Sequence, residues 1–166
     1  VSVDQAGVVR LEELANGRTV DALLALEQRE EGGDLYTPSP GRELPAPRLL
    51  RVRTVHRGPL RGEVAIDVEL GEGTRGRGRC RLSVQLDADL PAVRVAVHGD
   101  NRSGDHRLRL RVATGLAGAT TLADAAFHPV VRRAPGIPVA AQHMERAVAT
   151  APLHRWVARG GPGAGA

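Results

Sequence analysis

A chain of 166 residues is long enough to bury one sizeable hydrophobic core, and one domain is the expectation. Only Tyr36, Phe127 and Trp156 are aromatic, so that core has to be built from Val, Leu and Ala. All 23 basic residues are arginine against 19 acids, and a formal charge of +4 over this length does not require a nucleic-acid partner.

In chain order, Val1 to Leu14 alternates loosely around Asp4-Gln5-Ala6-Gly7 and reads as strand, turn, strand. Asn16-Gly17 offers a second turn. The apolar run Val20 to Leu26 is a short strand or one or two helical turns, and Gln28 to Gly33 reads as a polar, acidic loop. That loop continues into Asp34-Leu35-Tyr36-Thr37-Pro38-Ser39-Pro40, where prolines and glycines argue against a regular element on either side of Tyr36. An aromatic side chain in such a loop is either a plug over the core edge or a ligand contact.

Beyond the stiff connector Glu43 to Pro47 come four strand candidates: Arg48 to Val55, Glu63 to Leu70, Gly78 to Leu86 and Ala92 to His98. In the second, Val64, Ile66, Val68 and Leu70 alternate with Glu63, Ala65, Asp67 and Glu69. In the third, Cys80, Leu82, Val84 and Leu86 alternate with Arg79, Arg81, Ser83 and Gln85. An acidic row beside a basic row predicts antiparallel neighbours joined by the loop Gly71 to Gly76. Cys80, on the apolar row, is expected to be a core residue. Val93 to Val112 reads as a hairpin whose second arm sets His106, Leu108, Leu110 and Val112 against Arg107, Arg109 and Arg111. Its loop, Gly99 to Asp105, is rich in residues that tolerate left-handed backbone.

After this hairpin, Ala113 to Ala126 suits a loop followed by one short strand or a turn of helix. Phe127 to Arg133 reads as an edge strand, because Pro129 cannot donate to a ladder. Gln142 to Ala149 is a short helical or irregular piece and Pro152 to Val157 a final strand. Clean alternation in strand after strand predicts an all-β, antiparallel β-sandwich over residues 1–159, with 160–166 a flexible tail.

Chemistry is sparse. Cys80 is the single cysteine, which excludes an intrachain disulfide and a cysteine-based zinc site. The six histidines form no His-x-His or His-x-x-x-His pair, and His106 reads as an inward, satisfied ring. Asp100 and Asp105 are too dependent on loop shape to count as a catalytic carboxylate pair. Ser39 and Ser103 lie in no nucleophile-elbow context. The glycine-rich Gly73 to Gly78 leads into a strand, so the phosphate-loop geometry is absent. The row Arg107, Arg109, Arg111 lacks the neighbouring aromatics that stack bases, which speaks against nucleic acid. No apolar run approaches the ~20 residues needed to span a bilayer. A start at Val1, without an initiator Met, suggests a processed protein or a piece of a longer one.

Five segments in order carry a resemblance: NGR (Asn16 to Arg18), GDLYTPSP (Gly33 to Pro40), DNRSGDHRLRLRVATGL (Asp100 to Leu116), ADAAFHPVVRR (Ala123 to Arg133) and PLHRWV (Pro152 to Val157). Together they resemble the β-sandwich region that follows the catalytic domain in glycoside hydrolase family 38, the α-mannosidases, especially bacterial members. The family pattern runs approximately G-D-x-Y-x-x-x-P, N-x-x-x-D-H-R-L-R and F-x-x-x-x-R. Its matching positions are Gly33, Asp34, Asn101, Asp105, His106, Arg107 and Phe127, taken as structural. His128 and Pro129 depart from the small residue usual after the Phe.

The resemblance implies a fragment of a galactose-mutarotase-like supersandwich, serving as an accessory C-terminal domain. It would support the catalytic and helical domains that precede it and complete the rim of a mannoside pocket. Tyr36 and Arg132 or Arg133 are the implied substrate-binding residues, the two arginines differing by one residue of register. The nucleophilic aspartate and zinc of a retaining α-mannosidase lie upstream in the full-length enzyme. Nothing in this chain matches them, so no catalytic or metal residue and no cofactor is expected here, and the isolated chain is expected to be inactive. A bacterial cytoplasmic setting follows, with no nucleic-acid or membrane partner. The alternative from another class is a stand-alone carbohydrate-binding module.

Overall fold

A computed structural model of the chain describes residues 1–34, 38–72, 75–116, 120–132 and 153–160. The described residues contain strands and no helix, and every pairing is antiparallel. The chain divides into two units: Val1–Gly33 with Ser39–Ala113, and Asp34–Pro38 with Thr114–Ala166.

In the first unit β1 (Ser2–Val3), β2 (Val9–Glu13) and β3 (Arg18–Val20) form one meander. Its turns use the residues singled out above. The Asp4 carboxylate accepts from Val8 N–H at 2.9 Å, and Gly17 has φ +69° where Arg18 N–H bonds the Asn16 side chain. The run from Val20 resolves into a turn through Ala22 and then β4 (Leu24–Glu31), which lies between β5 (Pro40–Glu43) and β10 (His106–Val112). The largest sheet runs β6 (Arg48–Arg57), β7 (Arg61–Glu72), β8 (Arg75–Asp87), β9 (Val93–Asp100).

The β7–β8 register follows the charge pattern: Asp67 faces Arg81 and Glu69 faces Arg79, while Val64, Ile66 and Val68 face Val84, Leu82 and Cys80. Arg81 grips Asp67 with Nε and Nη2 at 2.6 and 3.2 Å. In water-exposed settings such a pair is worth about 0.2 to 1 kcal/mol. Stability comes instead from the other face, where Ile66, Val68, Leu70, Cys80, Leu82 and Val84 close on Val9, Val20, Leu23 and Leu24. Each fully buried aliphatic side chain there contributes about 1.5 to 3 kcal/mol. Cys80 is a core residue whose thiol is pushed up by burial. In β6, register shifts at Leu49/Arg51 and Thr54/His56 turn both Leu49 and Val52 toward the core, which its non-alternating sequence RLLRV requires.

Four expectations are corrected. First, Val93 to Val112 is not a hairpin: β9 pairs with β8 and β10 pairs with β4, so the loop after Asp100 carries the chain from one sheet to the other. Alternation on both sides of a polar loop suits an arch between sheets as well as a hairpin, because either geometry buries the same rows. Second, Gln28 to Gly33 is not a loop as far as Glu31, because β4 is paired on both edges and its polar side chains find partners. Third, a strand does flank the Tyr36 segment on each side; β5 accommodates Pro40 as its first residue. Fourth, the last strand is displaced from Pro152–Val157 to β13 (Val157–Gly160), so Gly160 belongs to it.

The second unit is described in part. There β11 (Thr120–Ala123) is central, with β13 on one side and β12 (Val130–Arg132) as the edge strand beyond Pro129. The expected piece Gln142 to Ala149 and the tail 161–166 lie outside the described residues.

Where the arch leaves β9 the backbones of β8 and β9 come very close. A Cβ on Gly78 would sit 2.2 Å from Asp100 O, and one on Gly99 would sit 2.7 Å from Arg79 O. Main chain cannot yield cheaply, so Gly99→Ala should lower stability by about 1 to 3 kcal/mol, read as a reduced urea midpoint. A wild-type midpoint for that variant would show that the approach is not a constraint.

Candidate functional site: a polar bracket around Gln28 and Glu31

Gln28 occupies the row begun by Leu24 and Leu26, and only 3% of it is exposed. A carboxamide so placed must find all its partners within the protein. Its Nε2 donates to Pro45 O at 2.9 Å, and its Oε1 accepts from Gly71 N–H at 2.7 Å and from His106 Nε2–H at 3.1 Å. The Pro45 and Gly71 bonds fix which end of the amide is oxygen, so His106 must carry its proton on Nε2. The other ring nitrogen, Nδ1, lies 3.1 Å from Asn101 Oδ1, which accepts from Ser103 N–H, so with the proton on Nε2 this approach joins two acceptors and is not a hydrogen bond. Asp105, at φ +50°, turns the chain into β10 and accepts Glu31 N–H on its carbonyl at 2.8 Å.

One residue further, Arg107 places its guanidinium against Glu31 Oε2. The second oxygen of Glu31 accepts from Gly33 N–H at 3.1 Å and from Ser39 N–H at 2.5 Å, while Gly32 N–H bonds Ser39 O. Glu31 therefore clamps both ends of the segment that carries Tyr36. Asp105, His106 and Arg107 all act on β4, with Asn101 beside His106, and β4 is the strand that launches this segment. The chemistry of the bracket is hydrogen bonding, and what it fixes is the backbone at Gly33 and Ser39.

Tyr36 and Arg133 lie outside the described residues. Asp34 belongs to the second unit, as do Arg132, at the end of the edge strand β12, and Phe127, which is 97% exposed. The sequence reading missed Gln28 and Glu31. Gln28 did carry a signal, a polar residue on an apolar alternation; Glu31 looked like one acid among several. Also missed was Asp124, 6% exposed, whose Oδ2 accepts from Arg155 Nε at 3.1 Å and lies 3.3 Å from His154 Nδ1. It links the fourth and fifth matching segments within the second unit. Among the described residues no three His, Cys, Asp or Glu side chains converge as a metal site.

No protein-family model matches the chain, and neither does any curated protein or solved structure.

Truncating Gln28 strands Pro45 O, Gly71 N–H and His106 in a closed site, at about 1 to 3 kcal/mol per orphaned group. Gln28→Ala should therefore cost more than any single surface ion pair, measured by denaturant unfolding. Burial also holds the His106 pKa below its ordinary 6.5. The unfolded ring then takes up a proton at a pH where the folded ring stays neutral. This contribution is present above the unfolded pKa and is lost as pH falls through the folded one. Unfolding free energy should fall as pH drops below the unfolded-state value of about 6.5, and the fall should shrink in His106→Gln. An unchanged slope in the variant would assign the effect to another group.

Proposed function

We propose that this chain is an accessory β domain of an α-mannosidase-like glycoside hydrolase, supporting the catalytic domain and completing the rim of its sugar pocket. The observation that carries this reading is the bracket. The motif with the most specific resemblance, Asn101 to Arg109, supplies the groups that hold the base of the Tyr36 loop, through Asp105 O, His106 and Arg107 on Gln28 and Glu31. A motif whose side chains fix the position of a loop suits a rim that has to meet a substrate held elsewhere. Tyr36 would offer a phenol, and Arg132 or Arg133 a planar guanidinium, to sugar hydroxyls. By the resemblance, hydrolysis and its zinc are assigned to the preceding domains of the full-length enzyme.

The test uses the enzyme containing this chain, with an aryl α-mannoside as substrate. Tyr36→Phe should raise KM by about tenfold, the loss of one hydrogen bond to bound sugar. Glu31→Gln should raise KM in the same direction, because it loosens the loop without touching sugar. The isolated 166-residue chain should hydrolyse nothing, with or without zinc. Turnover by the isolated chain would sink the proposal. Clear calorimetric binding of mannose or mannobiose to it would favour a stand-alone carbohydrate-binding module instead, for which the exposed Phe127 and the partly exposed Trp156 are the available platforms.

A further inference from the structure

The outer face of the four-stranded sheet carries more cation than its own acids use. Across β6, β7, β8 and β9 one row reads Arg51, Asp67, Arg81, His98, and beside it Arg79 faces Asp100. Asp67 is committed to Arg81 by two hydrogen bonds, with Arg53 a further 4.0 Å away. Those guanidiniums hold its carboxyl below the usual carboxylate range, the Arg81 hydrogen bonds contributing most. Asp100 is likewise taken, by Arg102 at 2.5 Å. Arg79 and His98 make no hydrogen bond or ion pair among the described residues, and Arg51 is engaged only through its attraction to Asp67.

These side chains rim a shallow depression of about 710 Å³, whose charged lining is Arg51, Arg79, Arg81 and His98 with the two committed carboxylates Asp67 and Asp100. It opens where β6 is displaced by its bulge at Leu50. Opposed residues on neighbouring strands have Cβ atoms about 5 Å apart and residues i, i+2 about 7 Å, both within the reach of arginine side chains. Arg79 lies diagonal to His98 across the β8–β9 pair, and Arg51 reaches the same depression from β6, across β7.

We infer that this depression binds a tetrahedral oxyanion, a phosphate or sulfate group, held by Arg51 and Arg79 with His98 beside them. Guanidinium is suited to such groups because its N–H donors match pairs of oxygens and its charge is fixed. Arg81 contributes charge while remaining on Asp67. A carboxylate presents only two oxygens in one plane and engages fewer of the surrounding donors.

Sodium sulfate, added to the 166-residue chain at ionic strength held constant with sodium chloride, should shift the His98 ring resonances saturably. Arg79→Gln and Arg51→Gln should each weaken that binding by about fivefold or more, the loss of one charge-assisted contact. Arg109→Gln, on the other sheet, should leave it within about twofold, as screening over that separation predicts. Both strand variants are surface changes, and unchanged far-ultraviolet spectra would confirm that they fold. Inorganic phosphate should bind like sulfate, and glycerol phosphate separates the two sources. Tighter binding of the ester marks a phosphorylated ligand, and equal binding marks the free ion. Acetate binding as tightly as sulfate, a chloride titration giving the same shift, or Arg109→Gln weakening binding as much as Arg79→Gln would each overturn the assignment.

Discussion

The first unit depends on one buried carboxamide. Gln28 sits where the alternation of β4 calls for an aliphatic residue, and its three partners come from three separate stretches: Pro45 in the connector, Gly71 at the end of the β7–β8 pair, and His106 at the start of β10. Apolar packing is tolerant of small slips, since an aliphatic side chain gains from any neighbour. An amide is not. Each unmade bond leaves a polar group without water, so the alternatives to this arrangement are penalised one partner at a time. The core formed by Leu70, Val84 and Val9 supplies most of the stability. Gln28 decides which arrangement of strands receives it.

What was legible in the sequence follows the range of the interactions. The β7–β8 pair could be read directly, because strict alternation and opposite charge patterns both point to one register. The all-β, antiparallel character followed from the same periodicity. The arch could not be read that way, since choosing between a hairpin and a change of sheet depends on whether β9 and β10 find better partners elsewhere. They do: β8 offers β9 a matching apolar row, and Glu27 and Glu31 offer β10 partners for Arg111 and Arg107. The same acids made β4 look like a loop, because half of what stabilises it lies some eighty positions downstream. The site divided in the same way. Asn101, His106 and Arg107 stood out as a motif, whereas Gln28 and Glu31 acquire meaning only once the sheets are assembled.

The use of arginine as the only cation shapes both sheets. A guanidinium donates in several directions, so Arg81 can hold both oxygens of Asp67, and Arg61 and Arg94 can share Asp87 with Gln85. On the β10–β4–β5 sheet, Arg107 and Arg111 are matched to Glu31 and Glu27, so the row that looked like a basic stripe in the sequence is largely interleaved with acid. The four-stranded sheet differs. There a single carboxylate, Asp67, stands within the influence of three arginines, and its lowered pKa records that imbalance. The same residue type thus yields a neutralised face on one sheet and an excess of positive charge on the other.

The arch joins these two regimes. Gly78 and Gly99 allow β9 to run so close to β8 that no side chain fits between them, and Asp105, in the left-handed region, then turns the chain into β10. Between those points lie Asn101 and Ser103, whose mutual bond keeps the amide facing His106. The crossing is thereby fixed at both ends, by close backbone contact on one sheet and by the bracket on the other. Asp105 O and Arg107 both meet Glu31, and Glu31 accepts from Gly33 and Ser39 N–H, so the crossing between the sheets and the backbone at Gly33 and Ser39 are tied into one run of polar contacts.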